Sequence, residues 1–339
     1  MAKKGKAKKD VAERDVEESL DRKLTLELAR VTEAAAVAAA LWRGKGDEKA
    51  ADQAAVDAMR RELNFLPIRG TVRIGEGERD EAPMLYIGEE VGTGEGPELD
   101  VALDPLEGTT ICAKNTPNSL AVIALARTGN LLNAPDCYME KIAIGPGYPD
   151  GIISLDAPAS ANIEALAKAK DVKPEQVRAC VLDRPRHAQI IEDIRKTGAS
   201  IRLIGDGDVA GVIHTTDPDE TGIDIYIGTG GAPEGVLAAA ALRCTGGQML
   251  GRLVIANKDQ HDRALKMGID DPSKIFSMDE MARGDVLFAA TGVTDGNFLK
   301  GVRLSRDGVE TDTVVMRSST RTIRYIKGVH RETAKFRIN

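Results

Sequence analysis

Twelve residues constrain this chain more than any others: Leu99-Asp100-Val101-Ala102-Leu103-Asp104-Pro105-Leu106-Glu107-Gly108-Thr109-Thr110. Leu99 to Leu103 has the apolar content of a buried strand, and Pro105, lacking an N–H, is expected to end its ladder. Asp104 then stands at the open end of the strand, with Glu107 three residues on across a proline turn. Two carboxylates so placed can face one point, which suits a hard cation that takes oxygen ligands. Glu107-Gly108-Thr109 adds backbone N–H groups, which make an anion site wherever a helix or tight turn begins. Read alone, the string also fits a strand followed by an acidic turn, the lesser of the two readings.

The rest of the chain narrows the options. At 339 residues, 42% hydrophobic and 29% charged, it can bury a sizeable core and is expected to form two domains, 22–147 and 148–339. A net charge of −7 and only 3% aromatic residues argue against nucleic acid as a partner, so an anionic substrate would need local cations. Cys112, Cys137, Cys180 and Cys244 lie far apart without a Cys-x-x-Cys pair, which points to neither zinc nor a disulfide framework and fits a reducing cytoplasm. No apolar run approaches the ~20 residues of a membrane span. Residues 1–21 are Lys-rich and then acidic, with no apolar segment of a secretory signal, and read as a disordered tail.

Hydrophobic spacing predicts a helix over Leu20 to Trp42, with Leu24, Leu28, Val31, Ala35 and Ala39 facing a core. Asp47 is placed to cap a second helix, Glu48 to Leu63, which carries Asp52 near its start, where an acid also suits the helix dipole. A strand at Thr71 to Ile74 runs into Gly75-Glu76-Gly77-Glu78-Arg79-Asp80-Glu81, whose glycines let carboxylates approach an ion closely, and a further strand is expected at Met84 to Ile87. Strands at Ser119 to Leu125 and Tyr138 to Ile144 follow, and the second half then alternates helices and strands. The fold class is α/β, with alternating helix and sheet layers.

Three strand ends in the second half carry polar chemistry. Asp183-Arg184-Pro185-Arg186-His187 offers two arginines for a phosphate, or a basic surface turn. Gly205-Asp206-Gly207-Asp208 can meet sugar hydroxyls, although capping alone would explain Asp208. In Gly228-Thr229-Gly230-Gly231-Ala232-Pro233-Glu234-Gly235 the position of the third glycine of a dinucleotide motif is Pro233, so no nucleotide site is expected.

Taken together, these strings resemble the lithium-sensitive sugar and inositol phosphatase superfamily. Asp104-Pro105-Leu106-Glu107-Gly108-Thr109, with Glu107 where Asp is more usual, resembles its class II fructose-1,6-bisphosphatase branch. Ile74-Gly75-Glu76-Gly77-Glu78, Asn133-Ala134-Pro135-Asp136, Met139-Glu140-Lys141, Asp206-Gly207-Asp208 and Gly230-Gly231-Ala232-Pro233-Glu234-Gly235 agree in order. The resemblance implies that Asp52, Glu76, Asp104, Glu107 and Glu234 bind Mg²⁺ or Mn²⁺. It implies that Glu107, Gly108, Thr109, Tyr138, Arg184, Pro185, Arg186, Asp206, Gly207, Asp208 and Gly231 contact a sugar bisphosphate. Thr109 would position the attacking water, and Glu78 and Asp80 would assist as neighbouring acids or as a base. A homo-oligomer, dimer or tetramer, is implied as well. The superfamily's usual C-terminal Trp-Asp-x-Ala-Ala string is absent, so the role of Glu234 rests on the class II branch, and Arg184 stands where a Lys is expected. Three rivals stay open: an inositol- or other sugar-phosphate phosphatase of the same superfamily, an aspartyl-phosphate phosphatase built on Asp206-Gly207-Asp208, and a sugar-phosphate-binding regulator without turnover.

Overall fold

The computed structural model describes Leu20, residues 22–77 and residues 84–337. The expected disordered tail, Leu20 apart, and both Glu78 and Asp80 lie outside the described residues. The strands are β1 (Arg69–Ile74), β2 (Glu90–Val91), β3 (Glu98–Glu107), β4 (Leu120–Arg127), β5 (Tyr138–Ile144), β6 (Arg178–Leu182), β7 (Ser200–Ile204), β8 (Ile225–Gly231), β9 (Gln248–Val254), β10 (Ile275–Ser277), β11 (Val286–Gly292), β12 (Arg303–Ser305), β13 (Gly308–Arg317) and β14 (Thr322–His330). The helices are α1 (Leu24–Ala40), α2 (Glu48–Leu63), α3 (Thr109–Lys114), α4 (Ala159–Lys170), α5 (Ala188–Lys196), α6 (Asp208–Ile213), α7 (Pro218–Thr221), α8 (Ala232–Thr245), α9 (Lys258–Lys266) and α10 (Met278–Met281).

The strands form two mixed sheets. The first runs β12-β13-β11-β4-β3-β1-β2, with β14 on the other side of β13, and only β1 and β3 are parallel in it. The second runs β10-β9-β5-β8-β6-β7, with the β8-β6-β7 end parallel. Sheet membership is not sequential. Strand β5 belongs to the second sheet, and β11 to β14 return to complete the first.

Three apolar cores stack these layers. Helices α1 and α2 pack on the outer face of the first sheet, α8 fills the space between the sheets, and α4 and α5 cover the second sheet. Helix α8 is buried nearly all round, as a helix between two sheets must be, and Ala238 to Ala241 keep it thin enough for both to approach. The predicted stripe of α1 is buried, and so are Thr32 and Glu33, whose polar atoms bond Thr291 Oγ1 at 2.8 Å and Thr311 Oγ1 at 3.1 Å across to the sheet. Asp47 caps α2 as expected, accepting from Ala50 N–H at 3.0 Å. Among the described residues no helix is long and apolar enough to cross a membrane, and the four cysteines are buried and unpaired.

Two expectations need correction. No strand forms at Met84 to Ile87: Leu85 takes a left-handed φ of 54°, its N–H is held by the Glu89 carboxylate, and the short strand β2 follows instead. Nor does Pro105 end β3, which continues to Glu107. Asp104 pairs with Val122 and Glu107 with Leu120, so β3 spends one residue more than β4 over this step. The extra residue makes a bulge, the one place inside a sheet that tolerates a residue without an N–H. The bulge also sets the chemistry. Residues three apart on a regular strand point to opposite faces; one added residue brings Asp104 and Glu107 to the same side.

Candidate active site

The site is built where that bulge meets the start of α8. Asp104 Oδ1 accepts the Leu106 N–H at 3.0 Å, and Glu107 Oε1 accepts the Val209 N–H at 3.0 Å, while Ser119 Oγ holds the Glu107 carbonyl at 2.9 Å. Gly108, with φ of 78°, turns the chain from β3 into α3. Glu234 comes from the first turn of α8, after Pro233 has set the helix start. Asp104, Glu107 and Glu234 offer carboxylate oxygens that all lie within 4.8 Å of one another. They line a cavity of about 350 Å³ to which α2 contributes Asp52 and the end of β1 contributes Glu76, with Thr109, Asp136 and Asp206 on its walls. Asp100, one strand turn before Asp104, is different: it is wholly buried, paired to Arg73 at 2.8 Å and bonded by the N–H groups of Asn130 and Leu131, so it serves the fold.

So many acids in one cavity disturb each other. Burial, then the charges of Asp104 and Asp52, push Glu76 up to about 9. Burial likewise raises Asp104 to about 6 and Glu234 to about 7, and lifts Glu107 well above the usual carboxylate range with Asp104 adding to the effect. Asp52 and Asp206 are also raised by burial. Among the described residues, Glu234 Oε2 is buried without a hydrogen-bond partner. A set of hard oxygen donors, crowded together and one of them orphaned, fits a divalent cation. The sign of the pH effect follows. Each raised carboxyl adds stability below its unfolded pKa of about 4, and that stability is lost as pH rises through the folded values of about 6, 7 and 9. The melting temperature of metal-free protein in chelator is therefore expected to fall between pH 5 and pH 9, and added divalent metal to flatten the slope; a metal-free melting temperature that rises over this range would contradict the crowding.

A second cavity, of about 460 Å³, shares Glu107, Asp136, Asp206 and Glu234 with the first and is lined further by Tyr138, Arg184, Arg186, Asp208 and Gly231. The Arg186 guanidinium donates twice to the Thr229 carbonyl, at 3.1 and 2.7 Å, and lies 4.8 Å above the Tyr138 ring. Beside it, buried His187 is fixed in one tautomer: Nδ1–H donates to the Leu182 carbonyl at 2.7 Å and Nε2 accepts the Thr229 N–H at 2.8 Å. Burial lowers its pKa and keeps it neutral. Arg184 bonds the Asp183 carbonyl at 3.2 Å, whereas Pro185 lines neither cavity and only shapes the turn between the arginines.

The glycine turns around these cavities have little room for side chains. A Cβ at Gly230 would collide with the Asp208 carboxylate, and one at Gly231 with that of Glu234. Capping does not explain Asp208, because Gly207, with φ of 80°, takes the cap position of α6. The Asp208 carboxylate is instead occupied by Lys141 and, at 3.4 Å, by the Tyr226 hydroxyl. Among the polar side chains given no role by sequence, Asp136 and Gln260 line the cavities, and Lys141 bonds Asp208 behind them. The Asn133-Ala134-Pro135-Asp136 and Met139-Glu140-Lys141 strings were visible as motifs, but nothing local marks Gln260 on α9 or tells what Lys141 on β5 holds.

A carboxylate cluster fit for a divalent cation, opening into a cavity with two arginines, defines a site for phosphate-ester chemistry. The family described as bacterial fructose-1,6-bisphosphatase, glpX-encoded, matches residues 22–330, and the chain belongs to that family. It is 45% identical over 336 residues to D-fructose 1,6-bisphosphatase class 2/sedoheptulose 1,7-bisphosphatase of Synechococcus sp. (strain JA-3-3Ab), covering 92% of this chain and 96% of the relative. The protein of the same name from Trichodesmium erythraeum (strain IMS101) is 41% identical, with 92% and 97% covered.

Proposed function

We propose that this chain hydrolyses the C1 phosphate of fructose 1,6-bisphosphate, and the corresponding phosphate of sedoheptulose 1,7-bisphosphate, with Mg²⁺ or Mn²⁺ as cofactor. The observation that carries this reading is the convergence of Asp104, Glu107 and Glu234, the last two of which also line the arginine-bearing cavity. The names of the relatives, which include both sugars, support the wider substrate range. Asp52 and Glu76 would complete the metal set. Divalent cations bound there would neutralise the phosphate, lower the pKa of a water molecule and stabilise the leaving alkoxide. Thr109 orients the attacking water, and the Glu107-Gly108-Thr109 turn receives the phosphate. Arg184 and Arg186, with Tyr138 beneath Arg186, grip the far phosphate, and Asp206, which lines both cavities, meets the sugar hydroxyls between them. Remote binding of this kind decides which ester bond reaches the metal. Glu78 and Asp80 are assigned assisting roles, and the working protein is a cytoplasmic homo-oligomer, dimer or tetramer.

Phosphorus NMR of the reaction tests the assignment. Fructose 6-phosphate is the expected product; fructose 1-phosphate would reverse the orientation, and comparison of kcat/KM for the two bisphosphates decides the substrate range. Arg186→Met is expected to raise KM about tenfold or more while changing kcat far less, because it removes a charge-assisted contact remote from the broken bond. An effect on kcat alone would move Arg186 out of the far-phosphate role.

A further inference from the structure

Lys141 on β5 is 1% exposed, and a lysine so buried is costly unless its charge is matched. Its ammonium has two partners on separate elements: the Asp208 carboxylate at the start of α6, and the Gly231 carbonyl, 2.8 Å away, at the end of β8. Each leads within three residues to a carboxylate of the acidic centre. Asp208 is followed by Val209, whose N–H holds Glu107 Oε1 at 3.0 Å. Gly231 is followed by the first turn of α8, which presents Glu234. The joint is closed to larger groups, since a Cβ at Gly230 would strike the Asp208 carboxylate and lie 3.0 Å from Lys141 Nζ.

We propose that Lys141 is the positioning residue of the acidic centre: one buried ammonium sets Glu107 through the Asp208-Val209 turn and Glu234 through the Gly231 turn. It touches neither substrate nor reacting atoms, and it pulls the two turns, which belong to different helices, toward a single point. The inference rests on the reading of Glu107 and Glu234 as metal ligands. Arg184 and Arg186 are outside its reach, because their own partners are the Asp183 and Thr229 carbonyls.

The test is Lys141→Met in the full chain, with Mn²⁺ affinity measured by calorimetry without substrate, and kcat, KM and melting temperature measured alongside. Removing a group that orients metal ligands is expected to weaken Mn²⁺ binding and to lower kcat, each by about 10- to 100-fold, with KM for the sugar bisphosphate little changed. Should Lys141→Met fail to fold, Lys141→Met/Asp208→Asn removes both charges of the buried pair and is expected to fold with the same weakened Mn²⁺ binding. A variant with wild-type Mn²⁺ affinity, or one altered only in melting temperature or KM, overturns the positioning role alone. A wild-type protein that takes up no Mn²⁺ overturns both this role and the metal reading beneath it.

Discussion

Asp104→Asn is expected to lower kcat about a thousandfold or more, because on the proposed metal mechanism it takes a charged oxygen donor from the cluster in which Asp104, Glu107 and Glu234 meet. The fold should survive. The substitution is isosteric, and the amide oxygen can still accept the Leu106 N–H that steadies the bulge. Asp206→Asn is the informative partner. Asp206 lines both cavities but is not among the three clustered carboxylates, so its loss should raise KM and reduce kcat much less. An aspartyl-phosphate mechanism reverses the order, because Asp206 would then be the nucleophile and a phospho-enzyme would accumulate. Steady-state kinetics of both variants, confirmed folded by circular dichroism, with a trap for hydroxylamine-sensitive phospho-protein, separates the two. Near-normal turnover in Asp104→Asn combined with none in Asp206→Asn would place the chemistry on the wrong carboxylate here.

Gly231→Ala is expected to cost about a hundredfold in kcat, the scale of loss that follows a small displacement of a catalytic group. The reason is spatial. The added methyl would occupy the place of the Glu234 carboxylate, and Gly231 also supplies the carbonyl that Lys141 holds. Gly205→Ala is the matched control, since a Cβ there meets nothing within 4 Å. Although Gly205 precedes Asp206, the variant should keep activity within about twofold, because its methyl would displace no side chain. Equal kinetics for the two alanine variants would show that Glu234 does not need its present position.

The limits of reading this chain from its sequence are physical. Helix α2 was visible because its cap and its alanine stripe are local, and β5 because a short run holding Tyr138, Met139, Ile142 and Ile144 between turn residues marks it. The bulge at Pro105 was not, because a bulge is a property of two strands: it exists only in the mismatch between Asp104–Glu107 and Val122–Leu120. For β11 to β14 it is the pairing that was not legible: β11 joins the first sheet through β4, about 160 residues earlier in the chain, a contact that no local pattern encodes. At the site, Glu76, Asp104, Glu107 and Glu234 stand out in the string as acids beside glycine or proline at element ends, whereas Asp52, inside a helix, enters only through the family resemblance. The structure gathers all five around one cavity. Lys141 lies in the middle of a strand, between Glu140 and Ile142, and only its burial and its two partners reveal what it joins.

The most direct test of a metal-dependent phosphatase centre is phosphate release from fructose 1,6-bisphosphate by the purified protein, before and after exhaustive chelation, and again after Mg²⁺ or Mn²⁺ is restored. Turnover should vanish with the metal and return with it. Undiminished phosphate release after chelation would contradict the account, because the acids crowded around Glu234 would then have no cation to serve.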